Sequence, residues 1–190
     1  MARFFKPVVA VILTVTALVM PVWAQEGWAA FAGPGTHAIM RHALAPGTGD
    51  PENFRLGDCS TQRNLDEAGR LQARQIGRAI EGGGVEVSRV LTSQWCRTAE
   101  TATLLDVGPV VDEPALNSFF GNRAGEAAQT ARLRQILGNA SREEKLLLVT
   151  HQVNITALTG IVPASGEVLV IALGENGTVE VLERVATEAP

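Results

Sequence analysis

The run KLLLVT, from Lys145 to Thr150, is followed at once by His151. A continuous apolar run of this length suits a strand buried on both faces, at the centre of a sheet that helices cover from either side. Thr36 to Arg41 (THAIMR) reads as a second buried strand, Arg89 to Thr92 (RVLT) as a short one, and a further strand is expected around Val110 and Val111. Asp66 to Glu81 places Ala68, Leu71, Ile76, Ala79 and Ile80 on one face at helical spacing, with Asp66 as N-cap and Gly82-Gly83-Gly84 as a stop. Helices are also expected from about Gln94 to Leu105, from Gly125 to Leu137 with Ala128, Ala131, Ile136 and Leu137 buried, and briefly from Val153. Glu167 to Leu173 and Thr178 to Val185 read as a hairpin across Gly174-Glu175-Asn176-Gly177. Strands alternating with helices predict an α/β fold: a three-layer sandwich with a mostly parallel central sheet flanked by helices.

The start of the chain has a different character. Arg3 and Lys6 precede an apolar run from Pro7 to Met20, and Val22 and Ala24 supply the small residues of a cleavage site. This is the pattern of a secretory signal peptide over residues 1–24, cleaved after Ala24, ahead of one domain over residues 25–190. An uncleaved anchor is the alternative, since the run approaches a bilayer span of about 20 residues; Pro21 and the small-residue site favour cleavage. The expected destination is periplasmic or secreted, with no stable membrane insertion after cleavage. Gln25 to Gly35 reads as a lead-in ending in the helix-breaking Gly33-Pro34-Gly35. Cys59 and Cys96, exported to an oxidising compartment, either pair or remain two buried thiols. Neither belongs to a C-x-x-C or Cys/His cluster, so no metal site is expected.

Charge narrows the ligands. The net charge is −4, and without Arg3 and Lys6 the remaining 14 basic and 20 acidic residues leave −6. Bulk electrostatics therefore disfavour nucleic acid and anionic membranes as partners, and an anionic ligand needs a local basic pocket.

Such a pocket is predicted by position. Arg41-His42 follows THAIM, Arg97 follows RVLTSQW, and His151 follows KLLLVT. Sites in open α/β sheets form at the C-terminal ends of the strands, where helix N-termini also offer free amides to phosphate oxygens. Two guanidiniums converging there supply planar, permanently charged donors for a phosphoryl group. An imidazole between them has its protonated form disfavoured by like charge, which leaves a neutral nitrogen free to attack phosphorus. The second imidazole is placed to donate to oxygens whose charge grows in that attack.

The same residues carry a resemblance. Met40-Arg41-His42-Ala43 (MRHA) resembles the Arg-His-Gly signature of the histidine phosphatase superfamily, the phosphoglycerate mutase-like group. Asn64 to Ala73 (NLDEAGRLQA) is similar to that family's G-x-x-Q-A helix start. Ser93 to Ala102 (SQWCRTAETA) is similar to its S-x-x-x-R-x-x-x-T-A helix, and Leu148 to Gln152 (LVTHQ) to its V-x-H strand end. Order and spacing agree over residues 36–160. The resemblance implies that His42 is transiently phosphorylated, that Arg41, Arg97 and His151 complete the phosphate pocket, and that water then hydrolyses the phosphohistidine. It implies no metal and no other cofactor.

Two positions depart from the family pattern. Ala43 stands where Gly is usual. Leu116-Asn117-Ser118 stands where many members read L-x-E, so Ser118 replaces the usual proton donor. Asp50, Asp58, Asp112, Glu113 and Glu126 are the nearby carboxylates by sequence, and none is assigned as the acid.

The remaining polar residues divide between site and scaffold. His37 lies inside a strand and reads as structural, Arg63 as either a surface or a substrate-facing side chain, Gln152 as either a substrate contact or a backbone cap. Glu100 reads as an intrahelical partner of Arg97, and Trp95 as a packing residue. The expected function is an exported phosphatase acting on a small-molecule or envelope-linked phosphorylated substrate, such as a phosphomonoester. The alternatives are a non-catalytic phosphate-binding module and, less favoured by length and export, a phosphomutase.

Overall fold

The protein's computed structural model describes residues 22–187; the signal-peptide reading falls almost wholly outside these residues. Six strands form one sheet: β1 (Thr36–Arg41), β2 (Arg89–Thr92), β3 (Val110–Asp112), β4 (Leu146–Thr150), β5 (Val168–Leu173) and β6 (Val179–Val185), in the spatial order β3-β2-β4-β1-β5-β6. The first four of that order run parallel, while β5 pairs antiparallel with β1 and β6 antiparallel with β5. The sheet is thus mostly parallel, closed on one side by a hairpin.

Strand alternation builds the two interior layers. Ala38 and Met40 of β1, with Leu147 and Val149 of β4, face a core filled by Trp28, Phe31, Ile76, Ile80, Ala102 and Leu105. These come from α1 (Val22–Ala32), α2 (Glu67–Gly82) and α3 (Cys96–Leu105). Ile39, Leu146 and Leu148 face the other way, against Leu133, Leu137, Ile155 and Leu158 from α4 (Glu126–Asn139) and α5 (Gln152–Thr159). Every residue of β4 is buried, as a central strand between two helical layers requires.

Three local readings are corrected. The lead-in before Gly33 is the helix α1, whose Trp28 and Phe31 lie one turn apart and are almost completely buried. The buried face of α2 is Gly69, Gln72, Ala73, Ile76, Gly77 and Ile80, while Leu71 is exposed. Counting only apolar side chains rotates that face, because the helix buries glycines where its backbone approaches neighbours. On α4 the buried residues are Thr130, Leu133 and Leu137, with Ala128 and Ala131 exposed. Asp66 caps α2 by accepting from the Gly69 amide at 2.8 Å, and the helix stops at Gly82.

Candidate active site

Parallel pairing of β1, β4 and β2 carries their C-terminal ends to one edge. His42 N donates to Thr150 O at 2.9 Å and Ser93 N to Val149 O at 3.2 Å, so the residues leaving all three strands are tied across the sheet. Arg41, His42, Arg97 and His151 line one cleft there, of about 140 Å³, together with Gly47, Asp50, Arg63, Ser118, Phe120 and Gln152. That is well under the roughly 300–1,000 Å³ of pockets for drug-sized ligands.

The backbone after His42 is fixed by the segments singled out in the sequence. Ala43 N donates to Thr101 Oγ1 at 3.1 Å, and Leu44 N to Gln72 Oε1 at 2.9 Å. Gln72 Nε2 in turn donates to Ser165 O and Thr187 O. A Cβ on Gly69 would lie 1.9 Å from Leu44 O, so α2 packs directly on this backbone only because residue 69 is glycine. Ala43 is fully buried and keeps a negative φ, so nothing in the turn requires glycine there.

Hydrogen-bond chemistry fixes the His42 tautomer. Its Nδ1 lies 2.8 Å from Ala43 O, which can only accept, so Nδ1 bears the proton and Nε2 the lone pair. Arg97 Nε donates to that Nε2 at 3.2 Å. The ring is 2 % exposed. Burial first, then the charges of Arg97, Arg41 and Arg63, outweigh the Ala43 hydrogen bond and pull its pKa down to about 3. His42 is neutral at any physiological pH.

His151 sits 5.6 Å from His42, ring centre to ring centre, in an edge-on arrangement. Its Nε2 is held by Ser93 Oγ at 2.8 Å, and Arg97 Nη2 approaches its Nδ1 at 3.4 Å. A guanidinium can only donate, which leaves the Nδ1 lone pair toward the cleft. Burial and the surrounding cations hold His151 well below the usual histidine range.

Arg41 donates from Nη1 to Pro163 O at 3.2 Å, and its buried Nε has no hydrogen-bond partner among the described residues. Arg63 borders the cleft but spends two nitrogens on the loop after His42, donating to Gly49 O at 2.8 Å and to Ala45 O. Gln152 opens α5 at the cleft with no side-chain hydrogen bond among the described residues, and His151 at the N-cap makes no side-chain capping bond.

Asp50 is the carboxylate that the sequence pattern does not single out. Its Oδ1 accepts from Arg97 Nη1 at 2.7 Å and from Arg63 N at 3.2 Å. Its Oδ2 accepts from Arg97 Nη2 at 3.1 Å and from Trp95 Nε1 at 3.0 Å. Burial pushes this carboxyl up, but the Arg97 hydrogen bonds and charge, then Trp95 and the Arg63 amide, hold it below its usual value. Among the described residues, three guanidiniums and one carboxylate line the cleft, which leaves two positive charges uncompensated there.

The other candidate residues are placed by their contacts and by the lining of the cleft. Asp58 caps Ser60, Glu113 caps Ala115, Glu126 pairs with Arg123 and Asp112 lies on the exposed edge strand, all away from the cleft. Ser118 does border the cleft, and its Oγ accepts from Phe120 N. Glu100 pairs with Arg70 of α2 at 2.6 Å, not with Arg97, so it joins two helices. Trp95 stacks on Phe54 at 5.0 Å and meets His151 edge-on at 5.3 Å, so it packs behind residues of the site without lining the cleft itself. His37 stays inside β1, accepting from Leu146 N at 3.3 Å. Cys59 and Cys96 form a disulfide that ties the turn before Arg63 to the first residue of α3, next to Arg97.

Sheet order, strand directions and the cleft at the β1/β4/β2 edge define the histidine phosphatase, or phosphoglycerate mutase-like, fold. Among the solved structures that share it are the following three. The protein histidine phosphatase SixA complexed with tungstate is 18% identical, with 80% of this chain and 96% of that chain covered at a TM-score of 0.57. A phosphoserine phosphatase variant from Entamoeba histolytica in complex with phosphoserine is 12% identical, with 78% and 95% covered at a TM-score of 0.57. A phosphoglycerate mutase from Plasmodium falciparum is 16% identical, with 80% and 90% covered at a TM-score of 0.51. No protein-family model matches the chain, and no curated protein matches it by sequence.

Proposed function

We propose that this chain is a phosphatase of the histidine phosphatase superfamily, which hydrolyses a phosphomonoester through a phosphohistidine formed on His42 Nε2. The observation that carries this reading is the tautomer: Ala43 O holds the Nδ1 proton, so the lone pair lies on Nε2, where it accepts from Arg97 Nε in a cleft with excess positive charge. A phosphate dianion matches the two uncompensated charges. Arg97 and the unpartnered Arg41 Nε orient its oxygens, with the uncapped start of α5 beside them. The dianion also offsets the cationic charges that add to burial in keeping His151 neutral, which favours uptake of a solvent proton at its Nδ1 and donation to the phosphoryl oxygens as their charge grows.

The neighbouring folds support the chemistry by analogy, since one holds tungstate, an oxyanion of phosphate shape, and another phosphoserine. Export is part of the proposal: residues 1–24 read as a cleaved leader to the periplasm or exterior, and a disulfide beside the site suits an oxidising compartment. The substrate is then a small-molecule or envelope-linked phosphate.

The test is phosphate release from an aryl phosphate by the purified protein, with trapping of acid-labile, base-stable phosphate on His42. His42→Ala is expected to abolish both. Phosphate binding with neither turnover nor labelling in the wild-type protein would instead make it a binding module.

A further inference from the structure

Among the described residues, Asp50 offers the one carboxyl group that lines the cleft. Its four hydrogen bonds fall into two kinds. Two come from Arg97, which a bound phosphate would also claim. The other two, from Trp95 Nε1 and the Arg63 amide, come from groups that a phosphate leaves in place. Trp95 is itself held by stacking on Phe54, and Arg63 is clamped to Ala45 and Gly49. When phosphate takes the Arg97 donors, the carboxyl therefore stays at the cleft wall while losing its cationic partner and gaining a dianionic neighbour.

We propose that Asp50 is the general acid of this site, protonated when the substrate phosphate takes over the donors of Arg97, and that it serves substrates whose leaving oxygen needs a proton. The inference rests on the phosphohistidine reading above. In the first step His42 Nε2 forms the bond to phosphorus, the bond from phosphorus to the ester oxygen breaks, and the Asp50 proton passes to that oxygen, releasing an alcohol. The ring keeps its Nδ1 proton and carries the positive charge. In the second step the Asp50 carboxylate takes a proton from water as its oxygen bonds to phosphorus and the N–P bond breaks. Neutral His42, hydrogen phosphate and protonated Asp50 result. Phosphate departure returns Arg97 to Asp50, which then loses its proton to solvent.

The groups facing Asp50 are consistent with this cycle. Arg97 and Trp95 approach it from the start of α3, Arg63 from the loop before α2, and Arg41, His42 and His151 share the cleft. The Arg97 hydrogen bonds and charge hold the carboxyl below its usual value against its burial. Two added negative charges reverse that balance. Ser118, where the family pattern has its acid, offers only a hydroxyl, too weak an acid for the task. An acid at Asp50 also selects among substrates: alkyl and sugar phosphomonoesters need it, whereas acyl phosphates and phosphoramidates leave without help.

The experiment compares an alkyl phosphate (glycerol 2-phosphate) with p-nitrophenyl phosphate in the wild type and in Asp50→Asn, which retains an acceptor for Trp95. A general acid typically contributes about 10²–10⁴-fold, so kcat/KM for the alkyl ester is expected to fall about 10²-fold more than for the aryl ester. Equal losses on both would reduce Asp50 to orienting Arg97 and overturn the proposal. Asp50→Asn is also expected to bind inorganic phosphate more tightly, because the charged competitor for Arg97 is removed; weaker binding would overturn the exchange. A measurement on the wild type alone guards against a variant that does not fold: across a series of aryl phosphates, phosphoenzyme formation should vary little with leaving-group pKa, and a steep dependence sinks Asp50 as the acid. If the wild type labels His42 yet fails these tests, only Asp50 is lost. If it never labels His42, the phosphohistidine reading falls and takes this inference with it.

Discussion

Arg97 bridges His42 and Asp50: its Nε donates to the His42 Nε2 lone pair at 3.2 Å while Nη1 and Nη2 grip both Asp50 oxygens, at 2.7 and 3.1 Å. One planar cation thus sets the direction of the nucleophile and holds the only carboxylate that lines the cleft among the described residues. It is 3 % exposed, and its α3 position is fixed by Thr101, which donates to Arg97 O and accepts from Ala43 N.

Replacing this fork by a point charge separates geometry from charge. Arg97→Lys retains a cation but cannot reach His42, Asp50 and a phosphate oxygen together. Loss of a preorganised donor to the reacting group typically costs about 10²–10³-fold in rate, and that fall in kcat is expected for aryl phosphate hydrolysis. Inorganic phosphate should also inhibit at least about tenfold more weakly, since a bidentate partner is lost. Steady-state kinetics with phosphate as inhibitor provide both numbers. An unaltered kcat would mean that Arg97 serves only the fold.

The strand ends were legible because a parallel sheet converts three short sequence signals into one place. THAIMRH, RVLTS and KLLLVTH each announce a buried strand and the polar residue at its C-terminal end, and the β1/β4/β2 pairing does the rest. Asp50 and Trp95 were not legible in this way. Residues 45–58 have no periodicity, and the contacts that bring Asp50 to Arg97 and Trp95 span more than 40 positions. The helix α1 was obscured by Gly33-Pro34-Gly35 and by the apolar run before it, although Trp28 and Phe31 at a spacing of three were a usable sign. On α2, the glycines that mark its contact with Leu44 and Leu105 carry no hydropathy signal at all.

Those glycines yield a paired prediction. At both Gly69 and Gly77 a Cβ would stand 1.9 Å from a backbone oxygen, of Leu44 and Leu105 respectively. Alanine favours a helix by about 1 kcal/mol over glycine, but here it must push α2 away from backbone that cannot rotate aside. Each Gly→Ala change is expected to destabilise by about 1–3 kcal/mol net, as overpacking does. Leu44 is two residues from His42, whereas Leu105 ends α3 far from the cleft. Gly69→Ala should therefore also lower kcat, and Gly77→Ala should not to the same degree. Urea denaturation alongside kinetics distinguishes the two.

The disulfide predicts a coupled loss. Cys59 and Cys96 are 37 positions apart, and their bridge joins the loop that carries Asp50 and Arg63 to the helix that carries Arg97. Loop-closure entropy for a span of this size is about 3–4 kcal/mol. Replacing both cysteines by serine should lower the melting temperature by roughly 6–16 °C for a domain of this size. Because the bridge ends beside Arg97, KM should rise as well. A melting temperature that falls with KM unmoved would confine the disulfide to stability.

Histidine burial predicts acid lability. His37 is pulled down to about 4, by burial and then the Lys145 charge against a smaller opposing effect of Glu144; His42 falls to about 3, and His151 lies well below the usual range. All three are lowered from 6.5, so between about pH 6.5 and 4 the unfolded chain binds more protons than the folded one. Stability is then full above pH 6.5 and is lost as the pH falls through that window, by up to about 1.4 kcal/mol per pH unit for each histidine. Urea midpoints measured at pH 7, 6 and 5 should drop progressively. Imidazole NMR signals, only three in this chain, should show no titration near 6.5 in the folded protein. His37→Asn keeps an acceptor for the Leu146 amide while removing one titrating group, and should reduce the slope by about a third. A midpoint independent of pH over this range would show that these imidazoles reach solvent protons while folded, which would also remove the case for a permanently neutral His42.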